Sequence, residues 1–461
     1  MASLARAQQE GDFIYTSEAG AITITSYTGT DEDVTIPATI AGLPVRIIGF
    51  NAFISKSELV SVIIPDGVTV IDHSAFSYCT SLAIVTISDS VTAIGNGAFT
   101  GCTSLVSVVI PKGVASIGTG AFSACSNLSH IEVAEGNAAY RSESGVLFNF
   151  ERTTLVQYPA GKAGSHYVIP DSVTTVGGGA FVGCWMLASV VIAESVTFIG
   201  HGAFARCENL GSMIIPDSVT FLGISVFRDC PRLARVTMGG NVSSIKGDTF
   251  ANCSNLESIT ISHSVVSIGA FAFINCRSLA SITIPGNVAR IGNGAFAGCT
   301  SLASVTFEGN APTIANHFNL FVRTVPGLMI YYHAGASGFA SPLWLGYPAM
   351  ALGAVAVPAL ENWRKEHFGE EAANSGDAAD DADPDGDGQA NVQEYMAGTY
   401  PKNAGSRLQV ASIIWLGNTC EVVLEAQPGR RYDLLRCPPP LAWGGKSWPP
   451  TRRPPRLGLL S

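Results

Sequence analysis

Charge is scarce in this chain of 461 residues: Asp, Glu, Lys and Arg make up only 13% of it, about half the usual share. Long apolar runs are missing as well. Apolar residues reach 47% and the mean hydropathy is +0.30, yet nothing approaches the roughly 18 uncharged apolar residues that a membrane helix needs. The longest candidate, Tyr347 to Leu360, is broken by Pro348 and Pro358, so no transmembrane span is expected. The net charge of -10 is concentrated between Glu361 and Glu394, where eleven acidic residues stand against Arg364 and Lys365. The remainder is nearly neutral, without the basic patch that nucleic-acid binding requires, so no nucleic-acid partner is expected.

Catalytic signatures are equally thin. Asp72-His73-Ser74 is contiguous, and its side chains cannot converge as a nucleophile, base and orienting acid must. Gly445-Lys446-Ser447 ends like a phosphate loop, but Pro440 stands where the first glycine belongs. The recurrent Gly-x-Gly pairs lack a flanking helix and acidic partner and read as turns. No catalytic residue is expected.

What is abundant is glycine, 49 residues, and a repeat. Phe53, Phe76, Phe99 and Phe122 are 23 residues apart, and so are Phe181, Phe204, Phe227, Phe250, Phe273 and Phe296. With each Phe as position zero, the coil carries Cys at +3, Leu at +6, Val or Ile at +9, Ile at +11, often Pro at +12, Val at +15, Ile at +18, Gly at +19 and +21, and Ala at +22. Alternation around +9 and +11 puts branched side chains on one face of a short strand, which the proline ends. Positions +15 and +18 read as a second inward segment, and Gly-x-Gly-Ala-Phe-x-x-Cys as a tight turn leading into a short helical turn.

One coil offers about six large apolar groups at roughly 1.5–3 kcal/mol each, against about 1–2 kcal/mol of backbone entropy for every residue ordered. A lone coil therefore cannot fold, and stacking supplies the missing burial and hydrogen bonds. The fold class expected is mainly β, a solenoid of 23-residue coils.

The pattern Ala-Phe-x-x-Cys-x-x-Leu-x-x-Val-x-Ile-Pro resembles the BspA-type leucine-rich repeat family of surface and secreted proteins. Gly11-Asp12-Phe13, Ile22-Thr23-Ile24-Thr25 and Gly42-Leu43-Pro44-Val45 resemble that family's N-terminal cap. The resemblance covers residues 11–309 and implies a right-handed solenoid with an adhesion or recognition role and no shared catalytic activity. Departures are Lys56 in place of Cys, Met213 and Met238 at inward positions, and Lys246 and Asp248 in place of the two glycines.

Boundaries follow from the register. Residues 1–10 read either as the remnant of a signal peptide, with Ala5-Arg6-Ala7 as its cleavage site, or as a plain leader. Residues 11–52 form the N-terminal cap, 53–315 the solenoid and 316–350 a C-terminal cap. The 59-residue gap from Phe122 to Phe181 holds an insertion at 134–168, read as a hairpin of Gly145 to Phe148 with Thr154 to Tyr158 that projects from the stack. A linker helix and calcium loop occupy 351–406, a partial β module 407–436, and a tail with seven prolines in its last 24 residues 437–461. That tail reads as disordered, as a truncated or frameshifted end would.

Nine of the eleven cysteines stand at +3. Equivalent side chains of stacked coils point in parallel, a poor geometry for disulfides, so these thiols are expected to be free, buried and weakly bonded to backbone.

Past the solenoid, Asp383-Pro384-Asp385-Gly386-Asp387-Gly388-Gln389-Ala390-Asn391-Val392-Gln393-Glu394 matches the twelve-residue calcium loop. Asp383, Asp385 and Asp387 would offer carboxylates, Gly388 the bend, Gln389 its carbonyl, Asn391 a contact through water and Glu394 a bidentate carboxylate; these oxygens suit Ca²⁺ and not zinc. The unit resembles a single calcium hand of dockerins or thrombospondin type 3 repeats. A complete dockerin has two such hands, so a cohesin partner is doubtful.

Recognition is expected where side chains must face outward, at +8 and +10. These positions form a serine row with Ser61, Ser107, Ser189, Ser212, Ser258, Ser281 and Ser304, and a threonine row with Thr86, Thr237, Thr260, Thr283 and Thr306. Ile63, Val109, Val191 and Ile214 are candidate apolar anchors, and His130, Glu132 and Arg235 the expected titratable interruptions. A face so poor in charge would bind a protein or other cell-surface macromolecule by shape and hydrogen bonds. The alternatives are a soluble β surface with a spacer role, or a site on the hairpin or the C-terminal module.

Overall fold

The computed structural model describes residues 7–315 and 319–352, and the backbone of 409–416 and 419–425. The first compact unit, ending at Leu352, is a β-solenoid with no helix among its described residues. A coil typically contributes a strand of three or four residues starting at +8, as Ser212–Ile214 or Ser281–Ile284, and a two-residue strand at +17 and +18, as Phe221–Leu222. The longer strands stack in parallel and pair in short groups, as where Ser281–Ile284 pairs with Ser304–Phe307, with pairing interrupted between Ile84–Ile87 and Ser107–Ile110, between Ser189–Val191 and Ser212–Ile214, and between Ser258–Thr260 and Ser281–Ile284. The shorter ones build a second parallel ladder, as where Ala93–Ile94 lies between Val70–Ile71 and Ser116–Ile117.

The third side of the coil departs from the short helical turn that the sequence suggests. Residues two before and two after each Phe take positive φ, for example Gly97 (+60°) and Gly101 (+74°), or Asp248 (+55°) and Asn252 (+61°). These left-handed residues prevent a right-handed helix from propagating. Amides instead alternate in direction. Gly97, Phe99 and Gly101 N–H donate to Thr119, Ala121 and Ser123 C=O of the next coil, at 2.8–3.1 Å, while Ala98, Thr100 and Cys102 N–H fold back on Gly95, Gly97 and Phe99 C=O. The three bonds to the next coil recur in the coils of Phe53, Phe76, Phe181, Phe204, Phe227, Phe250 and Phe273, and all three fold-back bonds in those of Phe53, Phe76 and Phe181. Thus a segment that is neither helix nor strand still pairs its buried polar backbone.

The two glycines before each Phe serve different ends. At +21 the requirement is the positive φ, which Ser74, Asp248 and Phe271 also adopt. At +19 it is proximity: a Cβ on Gly118 would lie 2.4 Å from Asn96 N, and one on Gly223 would lie 2.6 Å from Gly200 C. At these glycines close stacking of coils leaves no room for a side chain, whereas Asp72 and Lys246 hold the same position in their own coils. Lys246, in this position, lays its Nζ 3.6 Å from the centre of the Phe221 ring.

Inside, the phenylalanines form a column of stacked rings. Centroids are 4.8–5.5 Å apart from Phe53 through Phe122 and again from Phe181 through Phe296. Tyr27 continues the column at the N-terminal end, 5.0 Å from Phe53. Antiparallel strands Phe13–Glu18 and Ala21–Tyr27 cover that end as expected, the second pairing in parallel with Leu43–Ile48. At the other end the stack runs one coil further than its 23-residue register predicts. Phe321, 25 residues past Phe296, stacks on it at 5.6 Å, and Met329–His333 adds a strand beside Ser304–Phe307. Strands Leu343–Trp344 and Tyr347–Leu352 close the end.

The insertion also differs from its expectation. The hairpin of Val146–Asn149 with Thr154–Gln157 forms, joined by Tyr140–Glu143, but it does not project. Val146, Leu147 and Phe148 are at most 1% exposed, and Thr154–Gln157 joins the second ladder beside Thr175–Val176. Tyr158 takes the Phe position, 23 residues before Phe181 and 5.2 Å from its ring.

All nine +3 cysteines are free and buried. Each thiol donates to the carbonyl at position zero of the preceding coil: Cys102 to Phe76 at 3.2 Å, Cys230 to Phe204 at 3.1 Å, Cys299 to Phe273 at 3.1 Å. The Phe76 and Phe273 carbonyls also accept the N–H of Cys79 and Cys276 in their own coils, so there the thiol of the next coil fills the second lone pair. Where Lys56 replaces Cys, its Nζ bonds Gly29 C=O at 3.2 Å. In the second unit, Gln409–Leu416 and Thr419–Glu425 form an antiparallel hairpin inside the 407–436 segment that the sequence reads as a partial β module.

Two predictions follow from the core. Phe204→Ala and Leu210→Ala, both at most 1% exposed, should cost about 3–5 and 2–5 kcal/mol, whereas Ser212→Ala on the exposed row should be nearly neutral. Thermal melts check this, and equal shifts in all three would refute the register. Burial, in turn, pushes Cys79, Cys125 and Cys299 from the ordinary 9.0 up to about 12. The unfolded chain ionises first, so the thiols' contribution is intact below pH 9 and is lost as pH rises towards 12. Denaturation titrations should show stability falling steeply over that window, with each thiol contributing about 1.4 kcal/mol per pH unit; a flat profile would contradict the burial.

Candidate recognition face

The outer surface of the first ladder is built by strand alternation: with +9 and +11 committed to the core, +8 and +10 must face solvent. Ser212, Arg235, Ser258, Thr260, Ser281 and Thr283 are exposed, and Ser189 and Thr237 half-buried. Ile63, Val109 and Val191 are 45–50% exposed and Ile214 71%. Two further residues add to the apolar share, Ile84 at +8 of the Phe76 coil, 60% exposed, and Val106 beside the +8 row, 51% exposed.

The face divides along the axis. Its N-terminal part carries Ile63, Ile84, Val106 and Val109. Next come His130, half-buried, and the exposed Glu132, with His130 Nε2 3.8 Å from a Glu132 carboxylate oxygen. Beyond the insertion, Val168, Val191 and Ile214 occupy +10 of three successive coils, each about half exposed or more. The last part is hydroxylic, and there Glu257, Ser258, Thr260, His263, Ser281, Thr283 and Glu308 line a shallow groove of about 380 Å³. Arg235 lies 3.7 Å from Glu257, and His263 3.5 Å from Glu308. These exposed pairs are screened and contribute little to stability.

His166 and Val168 belong to the face and escaped the sequence reading, which expected only His130, Glu132 and Arg235 as titratable interruptions. They stand at +8 and +10 from Tyr158, a position that a phenylalanine register does not mark; the aromatic residue 23 places before Phe181 was the available signal. His166 Nδ1 lies 2.7 Å from Ser189 Oγ of the next coil. Met329 and Tyr331 extend both rows on the coil of Phe321.

Other chemistry-bearing groups do not converge. His73 Nδ1 is 2.6 Å from Asp72 Oδ1, which holds the Asp72 carboxyl below its usual range against the opposing effect of burial. Ser74 makes no hydrogen bond to that pair, so no relay forms. Among the described residues no group of His, Cys, Asp and Glu could hold a metal ion. The candidate calcium ligands Asp383, Asp385, Asp387, Gln389, Asn391 and Glu394 lie outside the described residues, as do the linker helix and the proline-rich tail. No helix among the described residues is long and apolar enough to cross a membrane.

Stacked coils with Phe, Cys and Leu inside and a hydroxyl-rich strand face outside define a leucine-rich-repeat solenoid. The family model of the BspA type leucine rich repeat region matches residues 43–156, 162–265 and 225–321, more than half of the chain, and this chain belongs to that family. Among solved structures it is similar to a leucine-rich repeat protein from Eubacterium ventriosum, at 24% identity and TM-score 0.54, covering 73% of this chain and 95% of that one. It is also similar to a leucine rich cell surface protein from Faecalibacterium prausnitzii, at 27% identity and TM-score 0.45, covering 67% and 97%. The pneumococcal vaccine antigen PcpA aligns at 17% identity and TM-score 0.39, covering 76% and 99%. No curated protein matches.

Proposed function

We propose that this protein acts outside the cell or at its surface, binding another macromolecule, a protein or other cell-surface molecule, through the outer face of its first strand ladder. The observation that carries the reading is the composition of that face: exposed aliphatic side chains, Ile214 foremost at 71%, set among serine and threonine hydroxyls with few charges. Isolated exposed aliphatics are ordinary on any protein, but a row continued over three successive coils is a contiguous apolar surface of the kind that marks interaction sites. Membership of a repeat family typified by surface proteins supports the same reading.

Placing Lys at Ser212, Ser258 and Thr260 together should leave the fold intact and abolish retention of labelled protein on target-cell surfaces. Wild-type retention should hardly change between low and physiological salt, because long-range charge attraction plays little part. Undiminished retention of the triple variant would move the site to the insertion or the C-terminal unit, and no retention of wild type on any surface would favour a spacer role.

We further propose that residues 383–394 bind Ca²⁺ and order the segment between the solenoid and the C-terminal hairpin. Three aspartates, a carbonyl and a glutamate supply hard oxygen donors in the order a calcium loop uses. Calorimetry should show calcium binding in the full chain with a Kd of roughly 10⁻⁴–10⁻³ M, lost in Asp385→Ala and Glu394→Ala. Absence of calcium heat at millimolar concentration would leave this segment an acidic linker.

A further inference from the structure

We propose that the 134–158 insertion is an internal cap with two working faces, which divides the solenoid into two units that unfold separately. Alternate side chains of the single strand Val146–Asn149 serve different cores. Leu147 belongs to the cluster that runs from Tyr15 to Ile131, whereas Val146 and Phe148 belong to the one that runs through Leu155 and Tyr158 to Ala349. The strand therefore ends one stack and begins the other.

The coil-to-coil bonding changes at the same place. In the first ladder, His130–Val133 pairs with the strand before it and His166–Val168 with the strand after it. Between them Gly145 C=O accepts from Ile131 N–H at 2.9 Å, and a Cβ on Gly145 would lie 2.8 Å from His130 Cβ, so the hairpin turn is wedged against the strand. The second ladder leaves Ser116–Ile117, where Ile117 N–H donates to Tyr140 Oη at 2.7 Å, and resumes at Thr154–Gln157.

On the turn side the two stacks meet through a few bonds, one of them from Ser123 Oγ to Gly179 C=O at 3.1 Å. Ala124 N–H reaches Val182 C=O at 3.3 Å, the Trp185 indole N–H reaches Ser126 C=O at 3.3 Å, and Gly161 N–H reaches Leu128 C=O at 2.8 Å. Between successive coils from Phe53 to Phe122 and from Phe181 to Phe296 the same interface carries three arm bonds, a stacked Phe and strand pairing in at least one of the two ladders. In a solenoid, cooperativity is the sum of such nearest-neighbour couplings, so the junction is where it is weakest.

The buried thiols report each stack separately. Cys79, Cys102 and Cys125 lie in the first, and Cys184, Cys207, Cys230, Cys253, Cys276 and Cys299 in the second. The full chain is exposed to a pulse of alkylating reagent at increasing urea, and each cysteine is read by peptide mass mapping. Phe99→Leu should lower the labelling midpoint of the first three thiols and leave that of Cys207 to Cys299 unmoved, and Phe227→Leu should do the reverse. Leucine keeps an apolar side chain in the column; if either variant still fails to fold, Val108→Ala and Val236→Ala probe the same two stacks. A common shift of all nine midpoints in each variant would show one cooperative stack and overturn the proposal.

Discussion

The structure depends on coils approaching closely enough for three amides of each turn arm to donate to the next coil. In an arm that is neither helix nor strand, those bonds are what allow its backbone to be buried at all, because an unpaired buried amide costs about 1–3 kcal/mol. The spacing they impose brings the phenylalanine rings to 4.8–5.6 Å and excludes side chains at Gly118 or Gly223. It also leaves the position-zero carbonyl with one lone pair facing the following coil, which the cysteine thiol fills. Phe, Gly and Cys in the repeat thus answer one geometric demand.

Because the coil's interior is so constrained, variation is confined to its outward positions. The +8 and +10 rows range from Ile63 and Ile214 through Ser and Thr to Glu132 and Arg235 without altering the backbone pairing beside them. A surface of this kind acquires binding character by substitution on a rigid, flat support. What such a face would bind is set by which side chains line up across coils, as Val168, Val191 and Ile214 do.

Much of this was legible in the residues. Ten phenylalanines at one spacing announce the stack, and the branched pair at +9 and +11 assigns the core and, by alternation, the face. The misses have physical causes. Tyr158 and Phe321 hold the column with a different aromatic or after 25 residues instead of 23, so a strict register passes over them, and His166 and Val168 with them. Gly-x-Gly-Ala-Phe-x-x-Cys suggested a helical turn because short-range spacing does not reveal that alternate amides will find partners 22 residues away. The insertion read as a projection because its alternating pattern does not say that both of its faces are covered. The proposed calcium loop at 383–394 rests on its sequence pattern alone.

The central claim is that the turn arms are a hydrogen-bonded ladder. Residue-resolved amide hydrogen exchange tests it most directly, by comparing the arm amides of internal coils with those of exposed loop residues. Phe99, Gly101, Phe181, Gly183, Phe227 and Asp229 N–H should be protected as strongly as the core strand amides of Val108 and Val236. Exchange of these six at the rates of open turns would contradict it.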